Sequence, residues 1–394
     1  MESLASKPAP SSRSHDADVL VVGGGLVGVA AAIVAARAGF STIHLAPSGP
    51  PDRRTSALMM PSVDFLQSAA LIDEPAALGH ALTRIRIIDA TGRLIRAPET
   101  LFDASEAGLP AFGWNFANVR LLDRFSRERA SLPNLDTRDV GLARLDGTTA
   151  TLTDGSILHA RLVIGADGKK SVVREAAGID VRETQFEQAA LVCDLDLERP
   201  IGGTSIEFHY SQGPFTLVPA GDNRANLVWI DRRSVLETAK AAAPEALEAM
   251  LRDKSQRLFG AIKLASPAFV FPLSTLNVDR AGSGGVVLVG EAAHAFPPIG
   301  AQGLNLGLRD VADLAQCLAE ADRNSADWAS AVSRRYAARR QGDLVRTGGI
   351  VDTLFRSLLA EMLPAQALRA GGLWALKLAP ALRRQAFAVG MGRR

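Results

Sequence analysis

Cysteine is scarce: the 394 residues include only Cys193 and Cys317, far apart and in no CxxC or CxxH spacing. This excludes a disulfide framework or a thiolate zinc site, fits a reducing cytoplasm, and leaves no metal site to expect. No run of about 18 uninterrupted apolar residues occurs, so no membrane-spanning helix is expected. A net charge of +2 is too small to make nucleic acid the main partner. Residues 1–15, MESLASKPAPSSRSH, lack the apolar core of a secretory signal and read as a disordered tail. What is present, 47% hydrophobic and 22% charged residues, suffices for one large core or two to three ordinary ones.

The run DVLVVGGG, Asp18 to Gly25, predicts a buried strand ending in a glycine turn. An almost wholly apolar helix follows to Gly39, and STIHLA, Ser41 to Ala46, reads as a second strand. These form a βαβ unit with parallel strands, the start of a doubly wound sheet. In TATLTDGSILHARLVIGADG, Thr149 to Gly168, strand-like pieces flank Asp154-Gly155, a dipeptide suited to a hairpin turn. Between Thr204 and Ile230 three β-rich runs predict an antiparallel second layer. Leu304, Leu308, Val311, Leu314 and Leu318 recur at helical spacing with Arg309, Asp310 and Asp313 between them, so one face is buried. The last forty residues read as helices broken by Pro364 and Pro380.

Three glycine-bearing loops punctuate this pattern. GGGLVG matches GxGxxG through Gly23, Gly25 and Gly28, between a strand and a helix, where backbone amides and a helix N-terminus can meet a pyrophosphate. The acid that usually ends the second strand and binds a ribose is missing, since Ala46 holds that place. Ser48 or backbone groups are expected to substitute. GADGKKS carries Asp167 and Gly168 at a strand end, but its GKKS is no phosphate loop, because Val163 stands where that motif needs glycine. The third loop, GEAAHAFPPIGAQGLNLGLRD from Gly290 to Asp310, is stiffened by Pro297 and Pro298. A helix beginning near Gly303 points its positive end back at that loop, which suits a flat ligand that gains negative charge.

In this order and spacing the three loops resemble those of flavin-dependent aromatic hydroxylases of the para-hydroxybenzoate hydroxylase fold. Within that class the sequence is most similar to the UbiH/UbiF group, ring hydroxylases of ubiquinone biosynthesis, through RTSALMMPSVDFL, GPFTLVPAGDNRANLVW and the Gly290 loop. The fold implied is α/β: a Rossmann-like FAD-binding domain with an inserted antiparallel β-sheet substrate domain and a helical C-terminus. The FAD-binding domain would comprise 16–80, 101–180 and 277–345, the substrate domain 81–100 and 181–276, and the C-terminal helical segment 346–394.

By that resemblance Gly23, Gly25 and Gly28 bind the FAD pyrophosphate, Arg54 reaches the cofactor's middle, and Asn118 lies near it. Asp167 and Gly168 would serve FAD and the nicotinamide cofactor, NADPH or NADH, while Gly300, Gln302, Gly303, Leu304 and Asn305 would face the isoalloxazine. Glu291 replaces the family's Asp, keeping the charge but adding a methylene, so it would have to fold back or displace the ribityl chain by about an ångström, enough to affect positioning. The implied reaction is hydroxylation of a polyprenyl phenol ring with NAD(P)H and O₂ through a flavin C4a-hydroperoxide. No catalytic base is assigned: Pro298 and Gly300 are flavin-loop candidates, and His294 is a positioning or catalytic candidate. Adjacent strand residues His209 and Tyr210 face opposite ways, so at most one meets a ligand. Leu217 and Pro219 are expected pocket residues. The apolar, arginine-bearing C-terminus suits either an acidic membrane surface, with other ubiquinone-biosynthesis proteins as further partners, or a plain helical cap. Hydroxylation of a small soluble phenol and a non-catalytic flavin-binding subunit are the alternatives.

Overall fold

The computed structural model describes residues 15–92, 97–298 and 302–359, with side chains to 346. The tail 1–14, Gly300, Pro364, Pro380 and nearly all the basic C-terminal segment lie outside the described residues.

Alternation of Val and Leu in Ala17–Val22 gives a strand buried on both faces, and the helix Leu26–Arg37 is apolar all round and enclosed. Strand Thr42–Leu45 completes the unit, parallel to the first. The sheet runs in the order Val286–Leu288, Ile157–Gly165, Ala17–Val22, Thr42–Leu45, Leu135–Arg138, all parallel, with Gly282–Ser283 antiparallel at one edge. The hairpin expected at Asp154-Gly155 joins Thr149–Leu152 to Ile157–Gly165, with Gly155 at φ +85 and Asp154 Oδ1 accepting from Ser156 N.

A second sheet runs through Phe269–Val278, Val181–Leu197, Arg224–Arg232, Gly213–Pro219, Thr204–Tyr210, Arg84–Asp89 and Thr100–Asp103. Its strands are antiparallel except that Thr204–Tyr210 and Arg84–Asp89 run parallel, because the chain returns to this sheet from the first one. Helices Arg233–Ala241 and Pro244–Lys254 cover one face, over Leu191, Leu195, Phe208, Phe215 and Trp229. A small sheet of Thr55–Met59, Gly113–Ala117 and Gly79–Leu82 lies between the two large ones.

Helix Gln302–Ala319 packs on Leu26–Arg37, and helix Trp328–Leu359 packs on both Gln302–Ala319 and strand Val286–Leu288. The apolar stripe of Gln302–Ala319 is buried as expected, but so are the interleaved Asp310 and Asp313, at 1% and 5% exposure. Arg340, fully enclosed, answers them: its Nε lies 2.7 Å from Asp310 Oδ1, and its Nη1 2.8 Å from Asp313 Oδ2 and 2.7 Å from Asp343 Oδ2. Burial alone would raise the Asp343 carboxyl, but Arg309 and Arg340 outweigh it and hold it down to about 2.

Two outcomes are expected. Removing the guanidinium that meets all three buried carboxylates, by Arg340→Met, should cost about 3–5 kcal/mol and lower Tm sharply. Asp343's ion contact stabilises the fold fully above its usual pKa of 3.8 and fades as the pH falls from there through about 2. Thermal melts of Asp343→Asn should thus show a flatter acid limb; a limb as steep as the parent's would refute this origin.

Candidate active site

The three glycine loops meet. Gly23 adopts φ +126, and a Cβ there would lie 2.2 Å from Ala166 O, so the first loop touches the second. A Cβ on Gly28 would lie 1.9 Å from Gly23 O, which demands glycine for the close turn. Over Gly25 a Cβ would meet nothing within 4 Å, leaving open space at the mouth of helix Leu26–Arg37. No acidic residue stands in that helix's first turn to offset its positive end. The third loop joins through Val27, against which Cβ atoms on Gly290 and Gly307 would press at 3.2 and 2.8 Å.

Asp310 fixes the third loop. Its Oδ2 accepts from Gly290 N at 2.8 Å and from His294 Nε2 at 2.6 Å. Burial would raise the carboxyl, but His294 and Arg340, with the two hydrogen bonds, hold it below the usual range. His294 is 1% exposed, its Nε2 committed to Asp310 and its ring stacked with Phe296. It therefore holds the loop in place from beneath. Pro298 is exposed at the end of the described part of the loop, and helix Gln302–Ala319 begins there, with no acid in its first turn. Gly303 opens onto free space, and Leu304 is half-buried against the core. Asn305 turns elsewhere: its Oδ1 accepts from Met59 N and its Nδ2 donates to Ala57 O, both at 2.9 Å, clamping the small sheet.

Arg54, Asn118 and Glu291 come together at the edge of this space. Arg54 forks onto Asp52 at 2.8 and 2.9 Å, and Asn118 Nδ2 donates to the same carboxylate at 2.9 Å. The Asp52 hydrogen bond raises the Arg54 pKa, and the nearby Glu291 charge adds to it. Glu291 is exposed, with a carboxylate that makes no hydrogen bond among the described residues. Asp167 is occupied locally, accepting from Ser171 Oγ at 2.5 Å and Val173 N at 3.2 Å, while Gly168 takes φ +81 beside open space.

Leu217 and Pro219 are placed differently from the expectation of a pocket wall. Leu217 is fully buried on the helix-covered face, packed with Phe208 and Leu227. Strand alternation turns its neighbours Thr216 and Val218 the other way, and one residue of register decides the face. Pro219 is buried, and its carbonyl accepts from Asn115 Nδ2 at 2.8 Å. Asn115 Nδ2 also donates to Asn226 Oδ1 at 2.6 Å, so the face bearing Asn226, Val228 and Ile230 looks toward the small sheet. Tyr210 points to the helix side, donating to Lys254 O at 2.6 Å, whereas His209 pairs with Glu207 on the other face.

Sequence reasoning missed His44 and Arg174. Arg174, nearly buried, donates to Ala292 O at 2.9 Å and Lys169 O at 2.7 Å, tying the second loop to the third. His44 lies beneath the first loop; its Nε2 donates to Gly23 O at 2.9 Å, and its Nδ1 faces Arg129 Nη1 at 3.4 Å. A polar residue inside the otherwise apolar strand TIHL was the available signal. Burial lowers its pKa from 6.5 to about 4, against the raising effect of the Gly23 contact and with Arg129 lowering it further. The unfolded chain protonates this histidine near pH 6.5 and the folded chain only near 4, so about 3 kcal/mol of stability is lost as the pH falls through that window. We expect His44→Gln, which keeps a donor but cannot titrate, to flatten Tm between pH 6.5 and 4. An unchanged slope would show that another group sets the acid response.

The FAD binding domain family model matches residues 16–341. A ubiquinone hydroxylase of Rhodospirillum rubrum is 33% identical over 98% of this chain and 92% of its own. The Escherichia coli 3-demethoxyubiquinol 3-hydroxylase is 31% identical over 95% and 98%. Among solved structures, a probable FAD-dependent monooxygenase of Pseudomonas aeruginosa superposes with a TM-score of 0.75 at 24% identity, covering 91% of this chain and 99% of its own. The p-nitrophenol 4-monooxygenase of Pseudomonas putida gives 0.75 at 20%, covering 96% and 98%; both establish a shared fold. A tight glycine turn, a helix mouth left open, a family model matching most of the chain and two full-length relatives at 33% and 31% identity together place this chain in the FAD binding domain family, in the branch of FAD-dependent ubiquinone hydroxylases.

Proposed function

We propose that the protein hydroxylates the aromatic ring of a polyprenyl phenol in ubiquinone biosynthesis, consuming NAD(P)H and O₂ with FAD as cofactor. The convergence of three glycine loops on one open helix mouth carries this reading. The full-length likeness to two ubiquinone-pathway hydroxylases supports it.

Bound FAD supplies hydride acceptance and oxygen activation. Backbone amides at Gly23–Leu26 and the unopposed helix end would bind the pyrophosphate, with Arg54, held by Asp52, at the edge of the site. Glu291, exposed and without a hydrogen bond among the described residues, would be available to accept from the cofactor's ribityl chain. The mouth of helix Gln302–Ala319, with no acid in its first turn, would favour negative charge on a bound flavin, and Asp310 and His294 hold the preceding loop in place. A phenol would be received between the third glycine loop and the sheet face carrying Val228, whose apolar surface would help exclude water from the reacting ring.

An apolar tail finds a matching surface on that face. Phe269 and Phe271, paired with Val192 and Ala190 in register with Val228 and Ile230, stack with centroids 6.4 Å apart. They remain 46% and 43% exposed, unusual for two neighbouring phenylalanines. No helix among the described residues is long and apolar enough to cross a membrane. Access to a lipid-dissolved substrate would then come from peripheral contact, to which the basic C-terminal sequence lends itself.

The test is the visible spectrum of the purified protein, followed anaerobically on addition of NADPH or NADH. The reading expects a flavin spectrum that bleaches faster with a prenylated phenol than with its unprenylated analogue, and faster again with anionic phospholipid vesicles. Equal rates with both phenols and no vesicle effect would favour a small soluble substrate. Bound flavin that no nicotinamide reduces, with any phenol, would favour a non-catalytic subunit.

A further inference from the structure

The family's acid at the end of the second strand is absent, since Ala46 has no side chain to meet a ribose. Ser48, the expected substitute, donates both its N–H and its hydroxyl to one partner, Asp139, at 2.6 Å each. Asp139 follows strand Leu135–Arg138, which pairs in parallel with Thr42–Leu45 so that Arg138 stands opposite Leu45. Ala46 N donates to Arg138 O at 2.9 Å, so positions 46 and 139 leave the sheet side by side, about 5 Å apart. That is the carboxyl edge of the parallel sheet, where dinucleotides bind in this architecture.

We propose that Asp139 supplies, from the neighbouring strand, the carboxylate that Ala46 lacks and accepts hydrogen bonds from the adenosine ribose of FAD. The carboxylate is held at both oxygens, Oδ1 by Ser48 N and Oδ2 by Ser48 Oγ. Each oxygen keeps a lone pair for a further donor, as the 2′- and 3′-hydroxyls of a ribose require. Hydrogen bonds from Ser48 also hold the carboxyl below its usual pKa, so it stays an acceptor at neutral pH. Its charge is unspent: no Lys or Arg pairs with it among the described residues. Other acids nearby are engaged, Asp136 with Arg138 and Asp52 with Arg54 and Asn118. The Ala46 substitution thus moves the ribose contact by one strand and leaves the site able to bind its cofactor.

The inference rests on FAD as the cofactor, and comparison of FAD with FMN, which has no adenosine, separates the two. Dissociation constants are read from flavin fluorescence quenching on the full-length protein, freed of flavin. Asp139→Ala should raise the FAD Kd about tenfold, the loss of charge-assisted hydrogen bonds, while the FMN Kd stays within about twofold. Ala46→Glu added to Asp139→Ala should recover most of the FAD affinity. Ser48→Ala, which keeps the carboxylate, should lose less than Asp139→Ala. If Asp139→Ala melts early, Asp139→Asn, still able to accept from Ser48 N, takes its place. Equal weakening of FAD and FMN, or no change in FAD, would overturn the assignment while leaving the cofactor reading intact. A parent protein that binds neither flavin would overturn both.

Discussion

The Asp310 carboxylate is the contact on which the rest of the molecule depends. A charge at 1% exposure is costly unless partners meet it, and here they come from two segments distant from each other in sequence. Gly290 N and His294 Nε2 belong to the flavin-side loop, and Arg340 belongs to the long helix Trp328–Leu359. Satisfying one carboxylate therefore fixes the loop, the helix that carries Asp310 and the helix that carries Arg340 in a single arrangement. Gly290 and Gly307 then lie against Val27, so the flavin-side loop is set relative to the pyrophosphate loop. The cost of burying the ion is returned as positional accuracy in a site that has to hold a cofactor at two ends.

A second relay of polar contacts joins that frame to the substrate side. Asn305 holds the backbone of Thr55–Met59, Asn115 on the adjacent strand reaches Pro219 O and Asn226, and Asn226 Nδ2 donates to Asp194 Oδ1 at 2.5 Å. Asn305 and Asn226 each pair with one donor and one acceptor, and Asn115 donates to two acceptors, groups that would otherwise be buried without a partner. Helix Gln302–Ala319 and the second sheet are thereby connected through the small sheet by hydrogen bonds as well as by packing. Shape at the ring site is transmitted through three asparagines, which fixes orientation in a way that apolar contacts, being non-directional, do not.

Much of this was legible because it rests on local rules. Glycines at 23, 25 and 28 announce a turn that only glycine allows, Asp154-Gly155 announces a hairpin, and the three runs between Thr204 and Ile230 became the strands Thr204–Tyr210, Gly213–Pro219 and Arg224–Arg232. What stayed hidden depends on contacts distant in sequence. Nothing in the text near Asp310 or Asp313 says that Arg340 will bury them, and periodicity alone reads such charges as the polar side of a helix. Leu217 failed as a pocket residue for a different reason: alternation tells that Leu217 and Val218 face opposite ways, but not which face is covered by helices. His44 and Asp139 were silent because each acts across strands, His44 on Gly23 and Asp139 on Ser48, and parallel pairing brings together residues some twenty to ninety positions apart.

The central claim, that these loops assemble a flavin site for inserting oxygen into an aromatic ring, is tested most directly by following the oxygen. The protein is turned over with NAD(P)H and a prenylated phenol under ¹⁸O₂, and the product is weighed by mass spectrometry. The account predicts one labelled atom in the new ring hydroxyl and none when the label is supplied as water. Label arriving from water, or NAD(P)H consumed to hydrogen peroxide with the phenol unchanged, would contradict it.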